Sequence, residues 1–255
     1  MINIFVGSSD SDDTWIEKIL VYSLLKNSSE KLNIQFLRPN KFPGWNRGGW
    51  GTPFTCFRYA IPELMGFKGR ALYMDVDILC LGDIAELFNF DLEGKPFGFV
   101  WDSLMSNGSQ WENTAFSNGW WADSVILMDC EKAKPHVAPI AYQRNPKKVY
   151  KWEFFSNMGS PFKEKSLPYI KQLPGNWNCF DGRNPSHTPA GLEKEKQMEF
   201  SVEEIKLLHM TTLSTQPWHP IYSPHAKATH PRQDLMELLW RYNEEATWIT
   251  QSTKF

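Results

Sequence analysis

Short apolar runs bounded by Gly, Pro, Asp and Ser alternate with stretches of helical period along the chain. Ile2-Asn3-Ile4-Phe5-Val6 reads as a strand, closed by the polar loop Gly7 to Asp13. Apolar residues then recur at Ile16, Ile19, Leu20 and Leu24, the stripe of a helix lying on a sheet, and Thr14-Trp15-Ile16-Glu17 has the form of a capping box. Leu32 to Leu37 alternates as a second strand, which makes the opening a βαβ unit. After an irregular Gly/Trp-rich loop (Pro43 to Gly51), Thr52-Pro53 starts a helix whose face is Phe54, Phe57, Ile61, Leu64 and Met65. Gly66 ends it, and Pro62 within it predicts a kink or a shortening. The run Arg70 to Leu81 is apolar on both faces, as a strand inside a largely parallel sheet must be.

Further strands are expected at Phe97 to Val100, Ala122 to Met128, Tyr169 to Pro174 (an edge strand) and Glu204 to His209. Val149 to Phe155 reads as a helix packing by its aromatics, and Asp181 to Gln197 as a loop. Ser103 to Gly119 is polar but carries Trp111 and Phe116, which reads either as a surface loop with two residues tucked under it or, the favoured reading, as a lid ordering over a substrate. Pro231 to Thr250 is an amphipathic helix through Leu235, Leu238, Leu239, Tyr242 and Ala246. With no internal repeat or long linker, the expectation is a single α/β domain over 1–255. Its core is a mostly parallel central sheet with flanking helices.

The chemistry sits where polar residues interrupt this pattern. Asp75 and Asp77 stand two apart in the apolar run, so an extended backbone turns both to one face. Burying them unpaired costs several kcal/mol each, roughly, and a hard divalent cation is the natural compensation. The competing structural reading has one acid capping the helix Asp83 to Phe88 and the other bridging an arginine. Arg58 falls at the edge of its helix's apolar stripe. There it either pairs with Asp75 or Asp77 or reaches an anionic ligand bidentately. Asp123 enters an apolar strand and asks for a partner, and His209 ends the late strand. The loop after the first strand lies at the carboxyl edge of the sheet, where ligands collect in open α/β folds. Gly7-Ser8-Ser9 lacks the G-x-G-x-x-G dinucleotide fingerprint.

Composition narrows the partners. A formal charge of −2 and a pI near 6.3 give no basic footprint for nucleic acid or an anionic membrane. No stretch has the length of a spanning helix, and the first residues lack a secretion signal. Cys56, Cys80, Cys130 and Cys179 are far apart, as expected of reduced, mostly buried thiols in a cytoplasmic protein. Most of the twelve tryptophans are expected in the core, with a few stacking on a sugar or base.

Three places resemble the retaining glycosyltransferases of the glycogenin and lipopolysaccharide galactosyltransferase type. Phe57 to Leu64 followed by Gly69 to Asp77 is similar to that family's arginine helix running into its D-x-D strand, and Asp83 to Phe88 continues the likeness. Leu207-Leu208-His209 with Pro217-Trp218 resembles its C-terminal metal-histidine motif, while Ile4 to Gly7 and Leu173 to Asn178 match more loosely. The resemblance, spanning about 1–220, implies a GT-A (Rossmann-like) fold and transfer of a hexosyl group from a nucleotide sugar, a UDP-sugar above all. The acceptor it leaves open as a glycan, a lipid or a protein.

The same likeness implies Mn²⁺ or Mg²⁺ on Asp75, Asp77 and His209, and nitrogen ligation suits Mn²⁺ better than Ca²⁺. It gives Arg58 the phosphate charge, while Asp123, at a position where this chain departs from the family, could bind a sugar hydroxyl or sit beneath the anomeric carbon. Val6, Gly7, Ser8, Val76 and Trp218 would hold the nucleotide sugar. Departures are specific. Thr215-Gln216 stand where the family carries glycine and lysine, Ala122-Asp123 where it reads Asn-Ser or Asn-Ala, and no acidic Asp-Gln or Asp-Asp pair is evident between 145 and 165. They motivate a second reading, a nucleotide-sugar or carbohydrate-binding module without turnover. A nucleotidyltransferase is a third, but it would want a glycine-rich basic loop where Gly7-Ser8-Ser9-Asp10 is acidic.

Overall fold

A computed structural model describes residues 1–10, 14–44, 52, 54–102, 119–137, 140, 163–181, 200–210, 216 and 232–252. The expected lid, the aromatic helix at 149–155, most of the loop after Asp181 and Trp218 lie outside these residues. The described chain runs β1 (Ile2–Gly7), α1 (Thr14–Asn27), β2 (Leu32–Leu37), a 3-10 turn (Thr55–Ala60), α2 (Ile61–Leu64), β3 (Arg70–Asp75), β4 (Ile78–Cys80) and α3 (Ile84–Phe88). It continues with β5 (Phe97–Asp102), β6 (Trp120–Asp129), α4 (Cys130–Ala133), α5 (Lys163–Ser166), β7 (Ile170–Leu173), β8 (Cys179–Phe180), β9 (Leu207–His209) and α6 (Gln233–Ser252).

The main sheet has the order β2-β1-β3-β6-β5-β7. β2, β1 and β3 are mutually parallel and β5 is parallel to β7, while β6 is antiparallel to both β3 and β5. Five strands therefore share one direction, and the expected mostly parallel sheet is present. The reversal of β6 matters for the site. It brings the beginning of that strand, with Asp123 and Ser124, to the edge where β1 and β3 end.

A second sheet, β4-β9-β8, continues from the end of β3. Here the expectation of one strand from Arg70 to Leu81 is corrected. β3 stops at Asp75, Val76 and Asp77 form a turn, and β4 starts at Ile78. The chain bends because it must leave one sheet and enter another. Asp75 and Asp77 converge through that turn, not through the pleat of a continuous strand.

Two helix readings also change. The helix expected from Thr52 is a 3-10 turn followed by the single turn of α2. Pro62 falls in the first turn of α2, where its missing N–H costs nothing, so it starts a helix instead of kinking one. Glu17 does not close a capping box: its carboxylate accepts from the Ser8 hydroxyl at 2.5 Å and from Arg38 Nη2 at 2.6 Å. The stripe Ile16, Ile19, Leu20, Leu24 is fully buried, as its spacing required.

α6 packs along α1. Tyr22 and Lys26 both donate to Glu245 (3.0 and 2.6 Å), Trp15 meets Trp240 edge-on at 5.5 Å, and Asn27 donates to the Cys80 carbonyl at 2.9 Å. The predicted apolar face of this helix, from Leu235 to Ala246, is buried. Among the described residues no helix is long and apolar enough to cross a membrane.

All four cysteines are buried, and none is in a disulfide. Burial pushes the Cys56 thiol up to about 11, and Cys80 and Cys130 up to about 12, so the reactive thiolate is absent from these three at neutral pH. A thiol-specific disulfide reagent should therefore label the native chain only over hours. All four cysteines should react within minutes once it is unfolded.

Candidate active site

Pairing of the small sheet brings the site together. β4 runs antiparallel to β9 with Ile78 opposite His209, and the Met210 N–H donates to the Asp77 carbonyl at 2.9 Å. That register sets the late histidine beside the mid-chain acids. One ligand atom from each of Asp75, Asp77 and His209 lies within 4.8 Å of the others.

Each member of this cluster is held from behind. Asp75 Oδ1 accepts from Arg58 Nη2 at 3.0 Å and from the Tyr73 hydroxyl. Burial pushes the Asp75 carboxyl up to about 6, opposed by the Arg58 charge and reinforced by Asp77. Asp77 Oδ2 accepts from Gln216 Nε2 at 3.1 Å, and its Oδ1 stands 3.2 Å from His209 Nε2. On the far side of the ring, His209 Nδ1 is 3.2 Å from Asn178 Oδ1. Burial alone would lower the His209 pKa, but Asp77, Asp75 and Asp181 outweigh it and the net direction is up.

This donor set fits a divalent cation. Asp77 Oδ1 is buried and, beyond the 3.2 Å approach of His209 Nε2, has no hydrogen-bond donor among the described residues, so it is an acceptor that a cation would satisfy. Two carboxylates and one imidazole nitrogen are also the mixed O/N set that Mn²⁺ accepts. Among the described residues this is the cluster of three acidic, histidine or cysteine side chains with such convergence.

Arg58 is 2 % exposed and extends behind the acids. Nε donates to the Thr55 carbonyl at 2.8 Å, Nη1 pairs with Asp123 Oδ1 at 2.8 Å and also meets the Asp123 carbonyl, and Nη2 takes Asp75. Its guanidinium lies over the Tyr73 ring, 4.6 Å from the centroid. Tyr59 donates to Asp123 Oδ2 at 2.8 Å, so both oxygens of that carboxylate are engaged. Arg58 pairs with Asp75, as one of its two readings has it, and its second partner is Asp123 instead of Asp77.

The expected nucleotide edge is closely built. Val6 and Ser8 are fully buried, and the Gly7 carbonyl accepts the Val76 N–H at 3.1 Å, which joins the two segments. The Ser8 N–H is spent on the Leu37 carbonyl (3.2 Å) and its hydroxyl on Glu17. A Cβ on Gly7 would stand 2.2 Å from Tyr73 Oη and 2.7 Å from Phe54. Gly7→Ala should therefore cost about 1–3 kcal/mol of overpacking. It should appear as a lower urea midpoint at unchanged slope.

Sequence reasoning gives no role to Tyr59, Tyr73, Asn178 or Gln216. Tyr73 carries a usable signal, since it lies two residues before Asp75 on the same face of β3. Tyr59, Asn178 and Gln216 carry none, because their partners come from distant segments.

A parallel α/β sheet with a D-x-D turn and a distant histidine meeting at its carboxyl edge defines a GT-A-type fold. The chain belongs to glycosyl transferase family 8, whose family model matches residues 46–222. Its fold is similar to that of the galactosyltransferase LgtC, solved in complex with donor and acceptor sugar analogs. The TM-score is 0.61 at 14% identity, covering 96% of this chain and 95% of that one. It is also similar to the glycosyltransferase GlyE of Streptococcus pneumoniae, with a TM-score of 0.60 at 17% identity over 100% of this chain and 66% of that one. In sequence, the curated glycosyltransferase GlyF of Streptococcus pneumoniae is 28% identical over 139 residues, which is 53% of this chain. The match spans 31% of that relative's length.

Proposed function

We propose that the chain is a metal-dependent, retaining glycosyltransferase that moves a hexosyl group from a nucleotide sugar, a UDP-sugar, to a glycan, lipid or protein acceptor. The observation that carries this reading is the convergence of Asp75, Asp77 and His209 at the sheet edge of a family 8 chain. Those three residues would hold Mn²⁺ or Mg²⁺, which supplies Lewis-acid stabilisation of charge on a departing nucleoside diphosphate.

The chain's own residues prepare the rest. Arg58 fixes the directions of Asp75 and Asp123 at once, so its charge reaches the reacting region through two carboxylates. Arg58 and Tyr59 hold the two oxygens of Asp123. A carboxylate so engaged is a weak nucleophile, though the remaining lone pair on each oxygen can still accept from a sugar hydroxyl. That favours front-face chemistry, in which the leaving phosphate takes the acceptor's proton and no dedicated protein base is needed.

The test is release of free UDP from UDP-glucose and UDP-galactose. Turnover is expected with Mn²⁺ and should vanish on chelation with EDTA. Nucleotide-sugar binding without any turnover would replace this reading with that of a binding module.

A further inference from the structure

Two buried amides, Asn178 and Gln216, stand behind the acid–histidine cluster, and neither belongs to the ligand set. Asn178 Nδ2 donates to Ser124 Oγ at 2.9 Å, which leaves Oδ1 to face His209 Nδ1 at 3.2 Å. An amide oxygen can only accept, so Nδ1 is the nitrogen that carries the proton. In the neutral ring Nε2 is then a bare lone pair directed at Asp77. Gln216 Nε2 donates both to Asp77 Oδ2 at 3.1 Å and to the Met210 carbonyl at 2.6 Å. The second bond ties the amide to the strand end that carries His209, so the first holds Asp77 in register with the ring.

We infer that Asn178 and Gln216 are positioning residues that set the tautomer of His209 and the rotamer of Asp77, and so pre-form a divalent-cation site that fills without nucleotide. This inference rests on the metal reading given above. A ligand already in its binding tautomer and rotamer loses little freedom when the cation arrives. Outer groups of this kind typically alter metal affinity about 10–100-fold. Gln216 is neutral, so it orients Asp77 without adding charge to the site.

The experiment titrates Mn²⁺ alone into the metal-free chain and follows unbound Mn²⁺ by its electron paramagnetic resonance signal. Asn178→Leu and Gln216→Leu should each weaken Mn²⁺ binding about 10–100-fold. Asn178→Asp keeps an acceptor for Nδ1–H, and the Ser124 hydroxyl can turn to donate to it, so its affinity should stay close to that of the unaltered chain. Should Asn178→Leu fail to fold, Ser124→Ala, which releases the amide to turn over, should show the same loss. Equal affinity in the leucine variants, or an Asn178→Asp affinity as poor as that of Asn178→Leu, overturns the inference and leaves the metal site standing. No Mn²⁺ binding by the unaltered chain overturns this inference, because the site then does not fill without nucleotide, whereas the metal reading falls only if UDP release is unchanged in EDTA.

Discussion

Replacing Asp77 by Asn should lower kcat/KM for nucleotide-sugar turnover about a thousandfold while leaving the metal-free chain at least as stable as before. The activity loss follows from the ligand set. A bound cation supplies roughly several kcal/mol of stabilisation to the departing diphosphate, and each 1.36 kcal/mol is about tenfold in rate. The substituted side chain would offer a neutral amide where the site has a carboxylate. Stability should move the other way because Asp77 Oδ1 is buried with no hydrogen-bond donor among the described residues except His209 Nε2 at 3.2 Å, and it lies beside a second carboxylate. An amide there can donate to His209 Nε2 and removes one of two close negative charges. Steady-state kinetics across a Mn²⁺ series, beside thermal unfolding in EDTA, checks both halves. A variant that lost activity only through unfolding would fail the second measurement.

The opposite signs explain what is and is not legible in the sequence. Strands appear there because their apolar runs are local, and β1, β2, β5, β6 and β7 fall where the pattern places them. The Asp75–Asp77 pair is visible for the same reason: charge inside an apolar run is costly and therefore conspicuous. Its geometry is not visible. That the chain turns at Val76 depends on β4 leaving the main sheet for a strand far downstream, and no local period records such a pairing.

The continuous helix expected at Thr52 fails because its apolar residues satisfy a 3-10 turn plus one α-turn just as readily. The capping role of Glu17 fails because capping spacing is local, whereas its partners Ser8 and Arg38 come from the ends of two strands. His209, Arg58 and Asp123 stand out as candidates, but which of them touch is decided by the reversal of β6 and the register of β9.

Arg58 carries the largest structural consequence of that arrangement. Arg58→Met keeps the volume and the contact with the Tyr73 ring but removes the charge that Asp75 and Asp123 share. Breaking a buried ion pair from one side costs about 3–5 kcal/mol, because the partner is left charged and dry. Here the partners keep some water, with side chains 18% and 22% exposed, which points to the lower end of that range. A loss of about 3 kcal/mol corresponds to a fall in melting temperature on the order of 10 °C for a chain of this size. Arg58→Lys should fall well short of this, since one ammonium keeps the charge while losing the fork that spans both acids.

Saturating Mn²⁺ distinguishes the two halves of the clamp. The cation would compensate Asp75 but not Asp123, so it should recover only part of the stability lost in Arg58→Met, and Asp123→Asn added to that variant should recover a further part without Mn²⁺. No gain from Asp123→Asn would mean that Arg58 supports Asp75 alone.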